Sequence, residues 1–148
     1  MQERYLFRAK RKDSGEWVFG GLSYCEKTGA YFITNMGKDH ISYIGYHQEV
    51  DQSTICQCTG LKDKNGNLIW ENDILHNGNY FVVTWNAPCA RFDIVLNNSH
   101  NIPMGKWKPM ICDWKNNDFK EYRKAVDYEV IGNTFDNPEL LEGSHDGE

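Results

Sequence analysis

Residues 59–75 constrain the fold more than any other part of the chain. At the centre of this stretch is the run Asp63-Lys64-Asn65-Gly66-Asn67, with apolar residues on both sides. Gly66 can adopt a left-handed conformation without a Cβ clash, and Asn65 is the next most tolerant residue type. Asn-Gly between apolar segments is typical of a tight connection between antiparallel strands. We therefore predict a β-hairpin here, in a chain that is mainly β.

Short apolar segments alternate with turn-forming residues along most of the 148 residues. In the first third, glycine-bearing turns separate three such segments, which is typical of a β-meander. We expect an N-terminal β-meander at 1–54, a second β unit at 55–141 and a disordered tail at 142–148. The predicted strands are 5–9, 17–22, 30–34, 55–61, 70–75, 80–85, 90–96 and 128–135.

Three segments are predicted to lie outside strands. Residues 97–108 are mostly polar and contain Pro103, so we expect a long surface loop there. Asp118 and Glu121 have the spacing of a capping box, which predicts a short helix at 119–125. Pro138 at the first position of a helix predicts one helical turn near the end of the chain.

Composition and charge narrow the functional classes. The formal net charge is −5, whereas nucleic-acid-binding domains usually carry a basic surface. No stretch approaches the roughly 20 apolar residues of a spanning helix, so we expect no membrane association. The N-terminus has no basic region followed by an apolar run, so we expect no secretory signal. An odd number of cysteines, five, suits a reducing cytoplasm.

No group of residues has the spacing of a catalytic or metal site. Cys56 and Cys58 are too close together for a usual structural zinc pair. We expect them instead on opposite faces of one strand. Glu71 and Asp73 could act as an acid–base pair on one strand face. The alternative that we favour is a turn in which Asp73 accepts backbone N–H groups. We therefore expect no enzyme activity, no catalytic residue, no cofactor and no metal.

The stretch 106–124 interleaves aromatic and basic residues. Such a pattern can stack bases and contact phosphates, although acidic residues dilute the positive charge here. The alternative that we favour is ordinary core aromatics with solvated charges. The candidate nucleic-acid or partner contacts are Trp107, Lys108, Trp114, Lys115, Lys120 and Arg123.

Three segments together resemble the YopX family of bacterial phage and prophage proteins. They are residues 4–20, with Tyr-Leu-Phe-Arg-Ala and Gly-Glu-Trp-Val-Phe-Gly; residues 57–74, around the Asn-Gly turn; and residues 128–141. Cys58 stands where the family more often has tyrosine, and Asn72 stands where glycine is usual. Residues 87–126 match no motif of the family.

The resemblance implies a β-rich intracellular protein whose second half is a small SH3-like barrel, and it implies self-association. It transfers no catalytic residue. We expect the meander to pack on this barrel. We further expect a non-enzymatic phage or prophage accessory protein in the cytoplasm of the bacterial host. It would act through contacts with an unknown protein partner, as a homo-oligomer. The alternative function is nucleic-acid binding through residues 106–124.

Overall fold

The computed structural model describes residues 5–35, 46–96, 101–105 and 123–142. The chain divides into two compact units, unit 1 (Met1–Gly60) and unit 2 (Leu61–Glu148). Antiparallel strands dominate, which confirms the predicted mainly β class. Within the described ranges, no helix is long and apolar enough to cross a bilayer. The elements are β1 (Phe7–Lys10), β2 (Trp17–Cys25), β3 (Ala30–Asn35), β4 (Tyr46–Val50), β5 (Cys56–Lys62), β6 (Leu68–Trp70), β7 (Asp73–Asn77), β8 (Asn79–Asn86), β9 (Arg91–Leu96), β10 (Asn101–Gly105), β11 (Arg123–Lys124), β12 (Glu129–Asn133) and α1 (Glu139–Glu142).

Unit 1 is an antiparallel meander in the order β4-β3-β2-β1, with β5 paired to the other side of β1. Backbone hydrogen bonds also join the ends of β1 and β4. The Asp51 N–H donates to the Lys10 carbonyl at 2.8 Å, and the Lys12 N–H donates to the Glu49 carbonyl at 3.0 Å. One face of the sheet is the core, where Ala9, Val18, Ile33 and Val50 are buried. Burying the larger of these side chains contributes roughly 1.5–3 kcal/mol each.

Unit 2 contains a six-stranded sheet in the order β11-β10-β9-β8-β7-β12. Its core is aliphatic and aromatic, and Phe81 and Tyr128 meet edge to face with ring centroids 5.3 Å apart. A 3₁₀ turn at Ala125–Asp127 links β11 to β12, the two edges of the sheet. Among the described residues, no ladder joins these edges, so the expected SH3-like barrel is not confirmed.

The predicted hairpin is present between β5 and β6. Gly66 has a φ of +82°, and the Asp63 N–H donates to the Asn67 carbonyl at 2.9 Å. Asn72 has a φ of +68°. Asn is the residue other than glycine that tolerates this conformation best.

The end of unit 2 is built around Asn133. The carbonyl oxygen of its side chain accepts the N–H groups of Phe135 and Asp136 at 3.0 and 2.9 Å. Its backbone N–H donates to Oδ1 of Asn137 at 3.2 Å. A Cβ atom added at Gly132 would lie 2.7 Å from Cγ of Asn137. Position 132 therefore requires glycine, because the Asn137 side chain occupies the space.

Three predictions from the sequence are wrong. The surface loop predicted at 97–108 contains β10, which pairs with β9 through Asn101, Ile102 and Pro103. Pro103 lies opposite Asp93 in the ladder with β9, whereas the pairing with β11 involves Met104 and Gly105.

The helix predicted at 119–125 is the second error. Arg123–Lys124 form strand β11 and Ala125 begins a 3₁₀ turn, while residues 119–122 lie outside the described ranges. The third concerns Cys56 and Cys58, which are both fully buried rather than on opposite faces. Residues two apart on a strand point to the same side. The helical turn predicted after Pro138 is confirmed as α1.

Candidate functional site

The contacts predicted within residues 106–124 lie mostly outside the described part of the chain. Five of the six predicted residues lie outside the described ranges: Trp107, Lys108, Trp114, Lys115 and Lys120. Arg123 lies in β11, where it is paired with Met104 of β10 in parallel register. The role predicted for these six residues therefore stays a prediction.

The carboxylate of Asp63 is used to hold unit 2 together. Its side chain is only 3% exposed. Oδ1 accepts the N–H groups of Asn65 and Asn67 at 2.9 and 2.8 Å, and Oδ2 accepts the N–H of Val130 at 2.9 Å. Burial by itself would raise the pKa of Asp63, but the N–H groups of Val130, Asn67 and Asn65 lower it below its ordinary value. This carboxylate stays ionised and serves the fold.

Two other carboxylates that are buried in the described part of unit 2, those of Asp73 and Asp93, also accept hydrogen bonds within the fold. Oδ2 of Asp73 accepts the Trp70 N–H at 2.7 Å, as predicted for a turn. Asp93 is fully buried and accepts from Nε of Arg91 and Nδ2 of Asn86, both at 2.7 Å. A search of the described residues finds no group of three or more His, Cys, Asp or Glu that could hold a metal.

Among the described turns of unit 2, the tip of the β8–β9 hairpin is exposed and carries no charged residue. We call residues 85–90 the apolar tip: Trp85, Asn86, Ala87, Pro88, Cys89 and Ala90. None of them is charged, and all except Asn86 are exposed. Turns are usually polar because their backbone faces water. An uncharged, exposed turn that begins with a tryptophan has the composition of a protein contact.

The apolar tip is held rigidly. Trp85 is 43% exposed, and its ring packs edge to face on Phe92 with the centroids 4.9 Å apart. At the base of the turn, the carboxylate of Asp93 accepts hydrogen bonds from both Arg91 and Asn86. Ala90 has a φ of +49°, which is strained for a residue with a Cβ. Strained backbone persists where the surrounding structure fixes it, often at functional sites.

Unit 1 carries a second aromatic surface on the side of its sheet opposite the core. The strand register places Arg8 opposite Phe19 and Lys10 opposite Trp17. It also places Phe32 of β3 opposite Glu49 of β4. Directly paired residues face the same side of a sheet, so these side chains share one surface. We call it the outer face of unit 1. It comprises Arg8, Lys10, Trp17, Phe19, Phe32, Thr34, His47 and Glu49.

Sequence reasoning missed both surfaces. The signal for the apolar tip was the run Ala87-Pro88-Cys89-Ala90, which contains no charge between two strands. The signal for the outer face was the alternation of Arg8 with Lys10 and of Trp17 with Phe19. The alternation alone does not predict a shared surface, because the strand register is needed to show which residues lie side by side.

Comparison with known proteins agrees with the motifs of the sequence. No curated protein matches the chain. The family model described as YopX protein matches residues 6–142 and thus includes the hairpin, both surfaces described above and the Asn133 turn. Because this match covers nearly the whole of the 148 residues, the chain belongs to the YopX family.

Proposed function

We propose that the protein is a non-enzymatic phage or prophage accessory protein that acts through protein–protein contacts as a homo-oligomer in the bacterial cytoplasm. Membership of the YopX family is consistent with a phage-type protein. A non-enzymatic role is supported by the buried carboxylates of Asp63 and Asp93, which are occupied by hydrogen bonds within the fold. Cys25, Cys56, Cys58 and Cys89 are not joined in disulfides, as suits a reducing compartment.

The observation that carries the proposal is the apolar tip. Tryptophan is among the residue types that contribute most to protein interfaces, particularly when it is held rigidly before binding. Trp85 meets both conditions, since it is exposed and fixed against Phe92. A second copy of the chain presents the same uncharged turn, so two tips can bury each other without leaving a charge unpaired.

The oligomeric state tests the proposal. Size-exclusion chromatography with light scattering should give a mass that is a multiple of 17.2 kDa. Trp85→Ala and Ala87→Asp should each move the mass towards that of the monomer. The first removes the anchor, and the second places a charge in the interface at little cost to the fold.

Tyr24→Ala is the matched control, because Tyr24 is an exposed aromatic residue of unit 1. It should leave the mass unchanged. A wild-type protein that stays monomeric at high concentration contradicts the oligomer. An oligomer that survives both tip variants shows that the contact lies elsewhere.

A further inference from the structure

We propose that Asp93 is a positioning residue for the apolar tip, because its buried carboxylate fixes the turn in the shape that meets a second copy of the chain. The proposal rests on the proposed function, in which the tip is the contact between copies. It assigns the shape of that contact to a side chain that no partner can touch. Three observations carry it: the composition of the turn, the direction of the carboxylate and the hydrogen bonds of Asn86.

The turn between β8 and β9 has little conformational preference of its own. Its residues are Ala87-Pro88-Cys89-Ala90, without the glycine, asparagine or aspartate that usually determine turn conformation. Pro88 restricts only its own φ, and one backbone bond closes the loop, from the Ala90 N–H to the Ala87 carbonyl at 3.2 Å. Ala90 has a φ of +49°, which alanine seldom adopts. The turn therefore depends on side chains outside the loop for its shape.

The carboxylate of Asp93 is directed towards the turn. Asp93 lies directly opposite Thr84 in the β8–β9 register, yet the buried Oγ1 of Thr84 has no hydrogen-bond partner among the described residues. Oδ2 of Asp93 accepts from Nδ2 of Asn86 instead, and Oδ1 accepts from Nε of Arg91, both at 2.7 Å. Asn86 ends β8, and Arg91 begins β9. The two bonds thus join the strands where the loop leaves and returns.

Asn86 extends this constraint into the loop. While its Nδ2 donates to Asp93, its Oδ1 accepts the Cys89 N–H at 3.3 Å. The side-chain amide is planar, so a bond that fixes the nitrogen also fixes the direction of the oxygen. Cys89 immediately precedes Ala90, the residue with the positive φ. By orienting Asn86, Asp93 therefore holds the loop backbone next to its strained residue.

The burial of Asp93 separates positioning from contact. Its side chain is 0% exposed, whereas the side chain of Arg91 is 40% exposed. Replacing a buried ion pair by apolar residues of similar volume is often neutral for stability. What the carboxylate adds here is direction, because a charged acceptor forms short and strong hydrogen bonds. A substitution at position 93 can change self-association only through the folding or the shape of unit 2.

The consequence for association is a turn that is ordered before the copies meet. Successive residues of a strand point to opposite faces, so Phe92 holds Trp85 on one face of the hairpin and Asp93 holds Asn86 on the other. A surface fixed in its bound shape loses less conformational entropy on association. Loosening the loop should therefore weaken self-association even when every contact residue is still present.

Asp93→Asn in the whole chain tests the proposal. The variant keeps the shape of the side chain but places an NH₂ group against Nδ2 of Asn86 or Nε of Arg91, so that one bond is lost. Analytical ultracentrifugation should give a dissociation constant for self-association roughly tenfold higher than that of the wild type, because the loop must then be ordered on association.

NMR order parameters measure the loop itself. They are compared with and without Asp93→Asn in the Ala87→Asp background, so that a second copy cannot order the loop. The values for the Cys89 and Ala90 amides should fall from about 0.85, typical of rigid backbone, to about 0.6 or below. Asn86→Ala removes the same hydrogen bond from its other end and should lower the same order parameters, which keeps the test available if Asp93→Asn does not fold.

Asp63→Asn is the matched control. It makes the same chemical change at another buried carboxylate of unit 2, one whose hydrogen bonds go to Asn65, Asn67 and Val130. Under conditions in which circular dichroism shows the variant to be folded, it should leave both the dissociation constant and the order parameters of the tip unchanged.

The outcomes separate positioning from the contact itself. Unchanged order parameters in Asp93→Asn and Asn86→Ala would overturn the positioning role, and so would an equal change in Asp63→Asn, which would indicate a general loss of stability. Loss of order with an unchanged dissociation constant would show that the shape of the tip does not matter for association. If the wild type is monomeric, the proposed contact between copies is wrong, and the order parameters decide the role of Asp93 by themselves.

Discussion

Replacement of Asp63 by asparagine tests the account of how unit 2 is held together. The change keeps the shape of the side chain and removes its charge and one acceptor. The amide group of asparagine would then face at least one N–H, that of Val130 or those of the turn. We expect this substitution to destabilise unit 2 and leave unit 1 intact.

The magnitude follows from the hydrogen bonds that are lost. A bond from a backbone N–H to a charged acceptor contributes about 1.5–3 kcal/mol, and an unsatisfied buried N–H costs about 1–3 kcal/mol. If one bond is lost and water at the exposed turn compensates in part, we expect the free energy of unfolding to fall by about 2–4 kcal/mol. That is a large fraction of the free energy of unfolding of a typical domain, which is roughly 5–15 kcal/mol.

Hydrogen exchange measured by mass spectrometry separates the two units. Peptides covering residues 126–134 should lose protection in Asp63→Asn, whereas peptides covering β1 and β2 should not. Lys64→Ala is the matched control in the same turn. The Lys64–Glu129 ion pair is 3.5 Å long between half-exposed side chains, so its loss should cost less than about 1 kcal/mol.

The effect should also depend on pH. The folded pKa of Asp63 is below its ordinary value of 3.8. Its stabilising contribution is therefore fully present above about pH 4 and is lost as pH falls through the folded pKa. The difference in free energy of unfolding between the wild type and Asp63→Asn should therefore become smaller in acid. A difference in free energy of unfolding below about 0.5 kcal/mol at pH 7 would show that the Asp63 carboxylate does not stabilise unit 2 as described.

The remaining predictions concern single positions. Gly132→Ala should destabilise unit 2 by about 1–3 kcal/mol in urea unfolding, because the new Cβ displaces Asn137; if Asn137→Gly does not relieve the loss, the steric cause is wrong. Ala90→Gly should raise stability by about 0.5–1 kcal/mol in the same assay, since glycine adopts a φ of +49° without strain; destabilisation would contradict the claim of strain. Hydrogen bonds from the Thr28 hydroxyl and backbone lower the pKa of Cys25 below its ordinary 9.0. Thr28→Val should therefore move the pH midpoint of Cys25 alkylation upwards, and an unchanged midpoint would exclude that hydroxyl as the main cause.

Local signals predicted the parts of the fold that depend on neighbouring residues. The Asn65-Gly66 turn and the turn at Asp73 could be read from the chain because glycine, asparagine and aspartate determine backbone conformation within a few residues. The same reasoning failed for β10, since Pro103 argues against a strand unless its neighbours in the sheet are known.

The candidate surfaces were less predictable because they depend on residues that are distant in the chain. Nothing in the sequence around Asp63 indicates that its carboxylate binds the N–H of Val130, 67 residues away. Likewise, the outer face of unit 1 exists only because the register of β1 and β2 aligns Arg8 with Phe19. The sequence showed which residue types were available, and the pairing of strands determined which of them meet.

The bond between Asp63 and Val130 has a consequence for biosynthesis. Unit 1 has all of its residues once the first 60 are made, and it can fold while the ribosome is still translating. In unit 2, the turn at Asp63 is synthesised early, but the Val130 N–H that its carboxylate binds is synthesised near the end of translation. Until then the edge of β7 that receives β12 is uncovered. Nascent chains stalled before residue 129 should therefore be protected from protease in the first unit and cleaved in the second.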